Sequence, residues 1–286
     1  MDDGKLRALL TAVECGSFSK AAAQLGYTQS AMTHLVNKLE AEVGCTLLER
    51  DSQGIRLTDA GKQLLPYIQN VVCACDTLLQ EAAEQSDPRK RTLRIGCFAS
   101  IARARLPELL RAFRELHPEI KMDVLVRGDE LPAALASGEI QLALVDEARA
   151  QGFDFLPLAD TPLVAVVPPD FPWEGETIPL ERLLREPFLS NPDQYIEPFL
   201  PPDTPRLEVT ASDDGSILSM VAGGLGVSVL SSFSLVGYEG QVRVLQLEKP
   251  IALRLGAAVK SVNTIGTSAR MFLTFLREYY GKDDTQ

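Results

Sequence analysis

The spacing of apolar and polar positions changes character along the chain. From Lys5 to Cys15 the residues Leu6, Leu9, Leu10 and Val13 fall on one helical face, and Gly16 ends the run, which predicts a first helix. Ala22, Leu25, Ala31, Leu35 and Leu39 continue helical spacing over two shorter segments broken at Gly26. Ser19 and Thr28 stand where caps would open them. The second segment leaves Thr28, Gln29, Ser30, Thr33, His34, Asn37 and Lys38 on its outer faces, while Phe18 reads as a core anchor. After Gly44, two short runs, Thr46 to Arg50 and Ile55 to Thr58, flank the polar turn Asp51-Ser52-Gln53-Gly54. They predict a two-stranded wing with Arg50 on one arm and Arg56 on the other.

Thr58 to about Gln85 predicts one long helix, with Pro66 early enough to cause no more than a kink. In it Leu64, Ile68, Val71, Cys75 and Leu78 alternate spacings of four and three, and Leu65, Val72 and Leu79 run beside them. That is a coiled-coil seam with a flank, or a helix packed on its own domain. Ser86-Asp87-Pro88-Arg89-Lys90-Arg91 breaks the pattern and reads as a hinge.

Beyond Leu93 the period becomes strand, helix, strand, helix, strand: Leu93 to Cys97, Leu106 to His117, Ile120 to Arg127, Leu131 to Ala136 and Gln141 to Val145. Such alternation predicts a parallel sheet in α/β packing. A second set follows between Leu163 and Leu247, then a strand to Val259 and a last helix from Ser268 to Tyr280. Two α/β sets of elements are expected.

At 286 residues the chain is multidomain, and 45% hydrophobic with 23% charged residues suits globular units. No apolar run approaches the ~18 residues of a spanning helix, and Met1-Asp2-Asp3-Gly4-Lys5 lacks the basic start of a secretory segment, so a cytoplasmic protein is expected. The net charge of −11 is spread over both parts: 10 basic against 12 acidic residues in 1–91, and 18 against 27 in 92–286. A nucleic-acid face must therefore be a local patch, here Lys38, Arg50 and Arg56 with Lys20 and Lys62 nearby. Five cysteines and two histidines show no metal-ligand spacing, and scattered thiols fit a reducing compartment; no metal or cofactor is expected.

Short polar side chains on the first half of a helix, with cations at its end and on a wing, suit base edges and phosphates of a major groove. Thr28, Gln29, Ser30, Thr33, His34, Lys38, Arg50 and Arg56 are the candidate DNA contacts. The segment AAAQLGYTQSAMTHLVNKLEAEVGCTLLERDSQGIRLTDAG resembles the N-terminal winged helix-turn-helix of LysR-type transcriptional regulators. The match runs through Ala21-Ala22, Leu25, Thr28-Gln29-Ser30-Ala31, Leu39-Glu40, Gly44, Leu47-Leu48-Glu49-Arg50 and Leu57-Thr58-Asp59-Ala60-Gly61. Leu48 stands where Phe is usual, Val43 where Leu is, and His34 where Arg is frequent. The second part resembles the family's periplasmic-binding-protein-like effector domain, in its Leu-Arg-Ile-Gly start, its Pro-Glu-Leu-Leu helix and its MetValAlaGlyGlyLeuGlyVal segment.

The resemblance implies an all-α winged helix-turn-helix domain over residues 1–58, a dimerising linker helix and hinge over 59–91, and a two-lobed α/β effector domain over 92–286. Lobe I would take about 92–160 and 263–286, and lobe II about 161–262, with the chain crossing between them near Leu158–Leu163 and Lys260–Thr264. It implies a bacterial transcription factor that binds double-stranded operator DNA and a small organic effector, and that pairs as a dimer or a dimer of dimers through Leu64, Ile68, Val71, Cys75 and Leu78. Open α/β sheets bind ligands beyond the carboxyl ends of their strands. That rule selects Phe98, Ser100, Ile101, Arg127 and Asp146 on lobe I, and Asn191 and Ser212 on lobe II. Asp146 and Glu147 disfavour an anion there, so a neutral or weakly acidic effector is expected. The peroxide-sensing branch of the family uses a cysteine pair in the distal half of its effector domain, and no Cys follows Cys97. No nucleophile elbow, phosphate loop or histidine pair signals catalysis. The alternative is a cytoplasmic solute-binding or solute-modifying protein whose N-terminal helices only oligomerise it.

Overall fold

The computed structural model describes residues 2–51, 54–87, 90–190, 196, 199–208 and 214–281. Residues 136–139 apart, it divides into two compact units at Ser86/Asp87.

The first unit holds α1 (Asp3–Cys15), α2 (Phe18–Leu25), α3 (Gln29–Val43), β1 (Leu48–Asp51), β2 (Gly54–Leu57) and α4 (Asp59–Ser86). Asp2 caps α1 by accepting from the Lys5 amide. The residue ahead of α2 is Ser17, not Ser19, because Phe18 already turns into the core and starts the helix. Gly26 and Gly44 stop α2 and α3 in left-handed conformations, φ 71° and 83°. The buried stripe of α3 is Met32, Val36 and Leu39; Ala31 and Leu35, expected on that stripe, lie at its margin. The core also takes Leu6, Leu9, Phe18, Ala21 and Leu47.

Three motif residues hold the wing. The Glu40 carboxylate accepts from the amides of Leu47 (2.7 Å) and Leu48 (3.0 Å), tying α3 to β1. Thr58 Oγ1 donates to the Thr46 carbonyl at 2.7 Å and accepts from the Gly61 amide at 2.9 Å, so it closes the wing and caps α4 together. At Gly61 a Cβ would lie 2.2 Å from the Leu47 carbonyl oxygen, so only glycine lets α4 pass the wing this closely. The helix α4 continues through Pro66.

The second unit opens with β3 (Thr92–Cys97), α5 (Ala99–Ala104), α6 (Leu106–Leu116), β4 (Lys121–Val126), α7 (Leu131–Ser137) and β5 (Leu142–Asp146). Then come β6 (Asp154–Val167), β7 (Thr177–Ile178), α8 (Leu180–Leu183), β8 (Phe188–Ser190), β9 (Arg206–Glu208), α9 (Asp214–Ala222), β10 (Ser228–Ser231), β11 (Arg243–Leu247), β12 (Ala252–Val259) and α10 (Thr267–Gly281). In lobe I the order is β4-β3-β5-β12-β6, with β3 parallel to β4 and β5, and β12 antiparallel to β5 and β6. Lobe II uses the rest of β6, flanked by β10 and β11, with β7 beyond β11.

The chain crosses between the lobes along β6 and again at the start of β12. There Ala252 pairs with Pro162, and Leu253 packs with the cores of both lobes. The expected second crossing at Lys260–Thr264 is thus placed too late. Residues 252–262, assigned to lobe II from sequence, belong to lobe I. The reason is that β12 is a central strand, with Leu255, Ala257 and Val259 in one core layer and Ala258 in the other.

Candidate DNA-reading face and effector cleft

On α3 the groups that could meet DNA face water. Thr28 caps the helix, its Oγ1 accepting from the Ala31 amide at 3.2 Å. Gln29, Ser30, His34, Asn37 and Lys38 are exposed, and Thr33 is half-buried. Because Met32, Val36 and Leu39 lock the opposite side, this polar row has one fixed orientation. On the wing, Arg50 pairs across the strands with Ile55, and Arg56 pairs with Glu49. Arg56 is exposed; the side chain of Arg50, with residues 52 and 53, lies outside the described structure.

The candidate seam on α4 divides in two. Ile68 is 7% exposed inside the helix-turn-helix core, Leu64 packs against that core, and Cys75 is half-buried. Only Val71 (40%) and Leu78 (69%) remain open, joined by Tyr67 and Leu79. The first half of α4 therefore belongs to the DNA-binding unit, which a spacing of four and three cannot distinguish from an intermolecular seam. Arg7 reinforces this join. It donates to Asp3 on its own helix at 2.7 Å and to Asp76 on α4 at 2.5 Å. The Asp76 carboxylate first, and Asp3 second, hold its guanidinium above the ordinary arginine range.

In the second unit the expected effector residues separate. Phe98, at the end of β3, is half-buried between the two core layers of lobe I, and Ser100 is the half-buried second residue of α5. Ile101 is 5% exposed in the lobe I core, so it supports α5 from behind and is not cleft surface. Arg127 is exposed, its amide donating to the Cys97 carbonyl at 3.2 Å. Asn191 and Ser212 lie outside the described residues.

Asp146 is 2% exposed, and it is occupied. It accepts from the Arg149 amide and from Arg149 Nη1, both at 3.2 Å. Sequence reasoning missed Arg149, which joins the ends of three strands. Its Nε and Nη2 each lie 2.9 Å from Asp129, after β4, and its guanidinium sits 5.2 Å above the Phe98 ring, after β3. The only available signal was an Arg three residues after a strand-ending Asp, a common pairing of a turn. Lobe II approaches α5 with the 3-10 turn Ser232–Leu235, where Phe233 lies under the Arg105 guanidinium at 5.2 Å. Buried Ser234 donates to Asp214 at 2.5 Å.

Among the described residues no group of His, Cys, Asp or Glu could hold a metal ion, and no helix is long and apolar enough to cross a membrane.

A winged helix-turn-helix with an outward polar row, followed by a hinged two-lobed α/β unit, defines a DNA-binding regulator that carries a ligand domain. A family model for the bacterial regulatory helix-turn-helix protein, lysR family, matches residues 4–62, and one for the LysR substrate binding domain matches residues 86–281. The chain belongs to the LysR family of transcriptional regulators: it binds operator DNA and carries an effector-binding domain. The alternative of a solute-binding protein with an oligomerisation module gives way to that assignment. YvbU of Bacillus subtilis (strain 168), an uncharacterized HTH-type transcriptional regulator, is 27% identical over 290 residues, covering 98% of this chain and 99% of its own. A probable hydrogen peroxide-inducible genes activator of Mycobacterium leprae is 27% identical over 287 residues, covering 96% of this chain and 92% of its own. Full-length OxyR from Pseudomonas aeruginosa shares the fold, with a TM-score of 0.70 at 23% identity over 97% of this chain and 95% of that one.

Proposed function

We propose that this regulator reads its operator with Gln29, Ser30, Thr33 and His34 on α3, while Lys38, Arg50 and Arg56 meet phosphates. The observation that carries the reading is the exposed polar row on a helix whose other side is fixed in the core. Residues 1–58 serve as the reading head, and α4 links that head to the effector domain. Two copies join through the open face of α4, Tyr67, Val71 and Leu78, and two such dimers can pair. A small organic effector sits between the lobes against Phe98 and Ser100, with Asn191 and Ser212 opposite, and shifts the arrangement of the subunits. The protein works in the cytoplasm and catalyses no reaction.

The peroxide-linked name of the mycobacterial relative does not transfer in this reading. No Cys follows Cys97 in the chain, and Cys97 itself is buried, its thiol pushed up to about 12 by desolvation.

The test is a gel shift and footprint of the full chain on genomic fragments. A protected site of two half-sites about one helical turn apart, or a multiple of that, is expected. Binding that stays equal across all fragments at ~150 mM salt would reject a sequence-reading role.

A further inference from the structure

We propose a second ligand site on lobe I, outside the cleft: the hollow between α6 and α10 takes a small zwitterion, an amino acid with an apolar side chain.

The packing of the two helices fixes the hollow. Phe113 of α6 meets Phe272 and Phe275 of α10 with ring centroids 4.9 and 5.4 Å apart, and Tyr279 donates its hydroxyl to the Glu108 carboxylate. Contacts that advance along α10 retreat along α6, so the helices run antiparallel and the end of α10 lies beside the start of α6. Here they enclose a cavity of about 380 Å³, at the lower end of the ~300–1,000 Å³ usual for small-molecule sites. None of Phe98, Ser100, Arg127 and Asp146 lines it.

Its lining divides into an apolar body and three charges. Leu109 and Phe275 belong to the buried lobe I core, and Tyr279 and Tyr280 pack against that core, so the apolar wall is held in place. Arg105, at the junction of α5 and α6, shares a helix face with Glu108, and Glu278 joins them from α10. All three are exposed at the rim. Among the described residues Arg105 forms no ion pair with either glutamate. The Phe233 ring covers one face of its guanidinium at 5.2 Å, which leaves the N–H donors in the plane.

Charges of both signs around one apolar hollow select the ligand. A plain carboxylate would suit Arg105 but face two glutamates, and a plain amine would suit the glutamates but face Arg105. A zwitterion answers both, its carboxylate on Arg105 and its ammonium on Glu108 and Glu278. Residues three apart on a helix have Cβ atoms about 5–6 Å apart, close enough for the two ends of one α-amino acid to bridge them. The ligand's side chain then lies over Leu109, Phe275 and the tyrosine rings. Arg105, Leu109 and Tyr280 also border a void of about 20 Å³ that Phe233 of lobe II closes, so Arg105 serves both this hollow and the contact between the lobes.

The experiment is thermal shift and calorimetry on the full chain. The probes are L-leucine and L-phenylalanine, each with its primary amide, which lacks the carboxylate, and its N-acetyl form, which lacks the ammonium. The proteins are wild type, Arg105→Gln, the double variant Glu108→Gln with Glu278→Gln, and Ser100→Ala as a control in the cleft. At least one free amino acid should bind wild type, with both blocked forms weaker by about 10-fold or more. Arg105→Gln should lose the preference for the free acid over the amide, and the glutamate double variant the preference for the free amine over the N-acetyl form. Ser100→Ala should bind as wild type does. These are changes of ligand preference, which a loss of packing alone would not produce. An amino acid whose binding is lost in Ser100→Ala and unchanged in Arg105→Gln sits in the cleft and overturns the second site. Equal binding of free and blocked forms overturns the zwitterion, and no response of wild type to either amino acid overturns the proposal.

Discussion

The DNA-reading face and the effector cleft treat polar groups in opposite ways. On α3 the polar side chains stand in water, and the helix spends its apolar side on orientation. Around the cleft they turn on one another: Arg149 between Asp129 and Asp146, Ser234 on Asp214. The difference follows from the partner. DNA docks from outside on a surface that water can solvate until then, so nothing need be satisfied in advance. A cleft that closes over a small molecule removes its lining from water, so every charge there needs a partner. Helix α4 shows the same contrast within one element, its first half buried in the reading head and Val71 and Leu78 left open.

The strongest way to break that contrast is a pair of aspartates three residues apart. Ile68→Asp buries a carboxylate without a partner in the helix-turn-helix core and should cost on the order of 3–5 kcal/mol, melting the first unit. Val71→Asp touches an exposed site and should change monomer stability by less than about 0.5 kcal/mol, while halving the mass by light scattering and abolishing specific DNA binding. Equal loss of folding in both variants would mean that the open face is part of the core.

How much of this was legible in the sequence depended on the range of the interactions. The reading head is built by neighbours: Thr28 caps its own helix, Gly26 and Gly44 stop theirs, and Thr58 and Gly61 act within one turn. Such residues leave a motif, and the motif located the head. The seam misled because Ile68 and Val71 obey the same spacing whether their partner is α1 or another chain. The second crossing was misplaced because register between β12 and β6, some ninety residues apart, has no local signature. Arg149 was invisible for a like reason. Whether an arginine is paired or stranded depends on which strand ends the topology gathers.

Next in size is Glu40, whose carboxylate serves two amides at the root of the wing. Glu40→Ala leaves both without that acceptor and should cost about 2–3 kcal/mol in urea melts of the first unit. Glu40→Gln, which keeps one carbonyl acceptor, should recover part of it. A wing held by packing alone would show no loss in either variant.

On the exposed face the effects are smaller and differ in kind. Gln29→Ala should lose ~1–3 kcal/mol on the specific site and relax base preference, with little change on random DNA. Lys38→Ala or Arg56→Ala should weaken all sequences alike and flatten the salt slope by about one. If Gln29→Ala behaves as the cation variants do, α3 follows the backbone and does not read bases.

The smallest effect is expected at Cys97, where the cleft's lobe is most closed to water. Desolvation pushes its thiol up to about 12 from an ordinary value of 9.0, so at pH 8 the reactive thiolate is scarce. Native protein treated with iodoacetamide or millimolar hydrogen peroxide should therefore be modified at the half-buried Cys15, Cys45, Cys73 and Cys75 before Cys97, as read by peptide mass mapping. The same shift sets a sign for stability. The unfolded thiol ionises first, near its ordinary value, while the folded one holds its proton, so the stabilisation is complete below about pH 8.5 and is lost as pH rises towards 12. Replacing Cys97 by Ala should flatten that alkaline decline relative to wild type. Sulfenic acid appearing at Cys97 as fast as at the half-buried thiols would show that lobe I opens to solvent far more than its packing allows, and would return peroxide to the list of candidate signals.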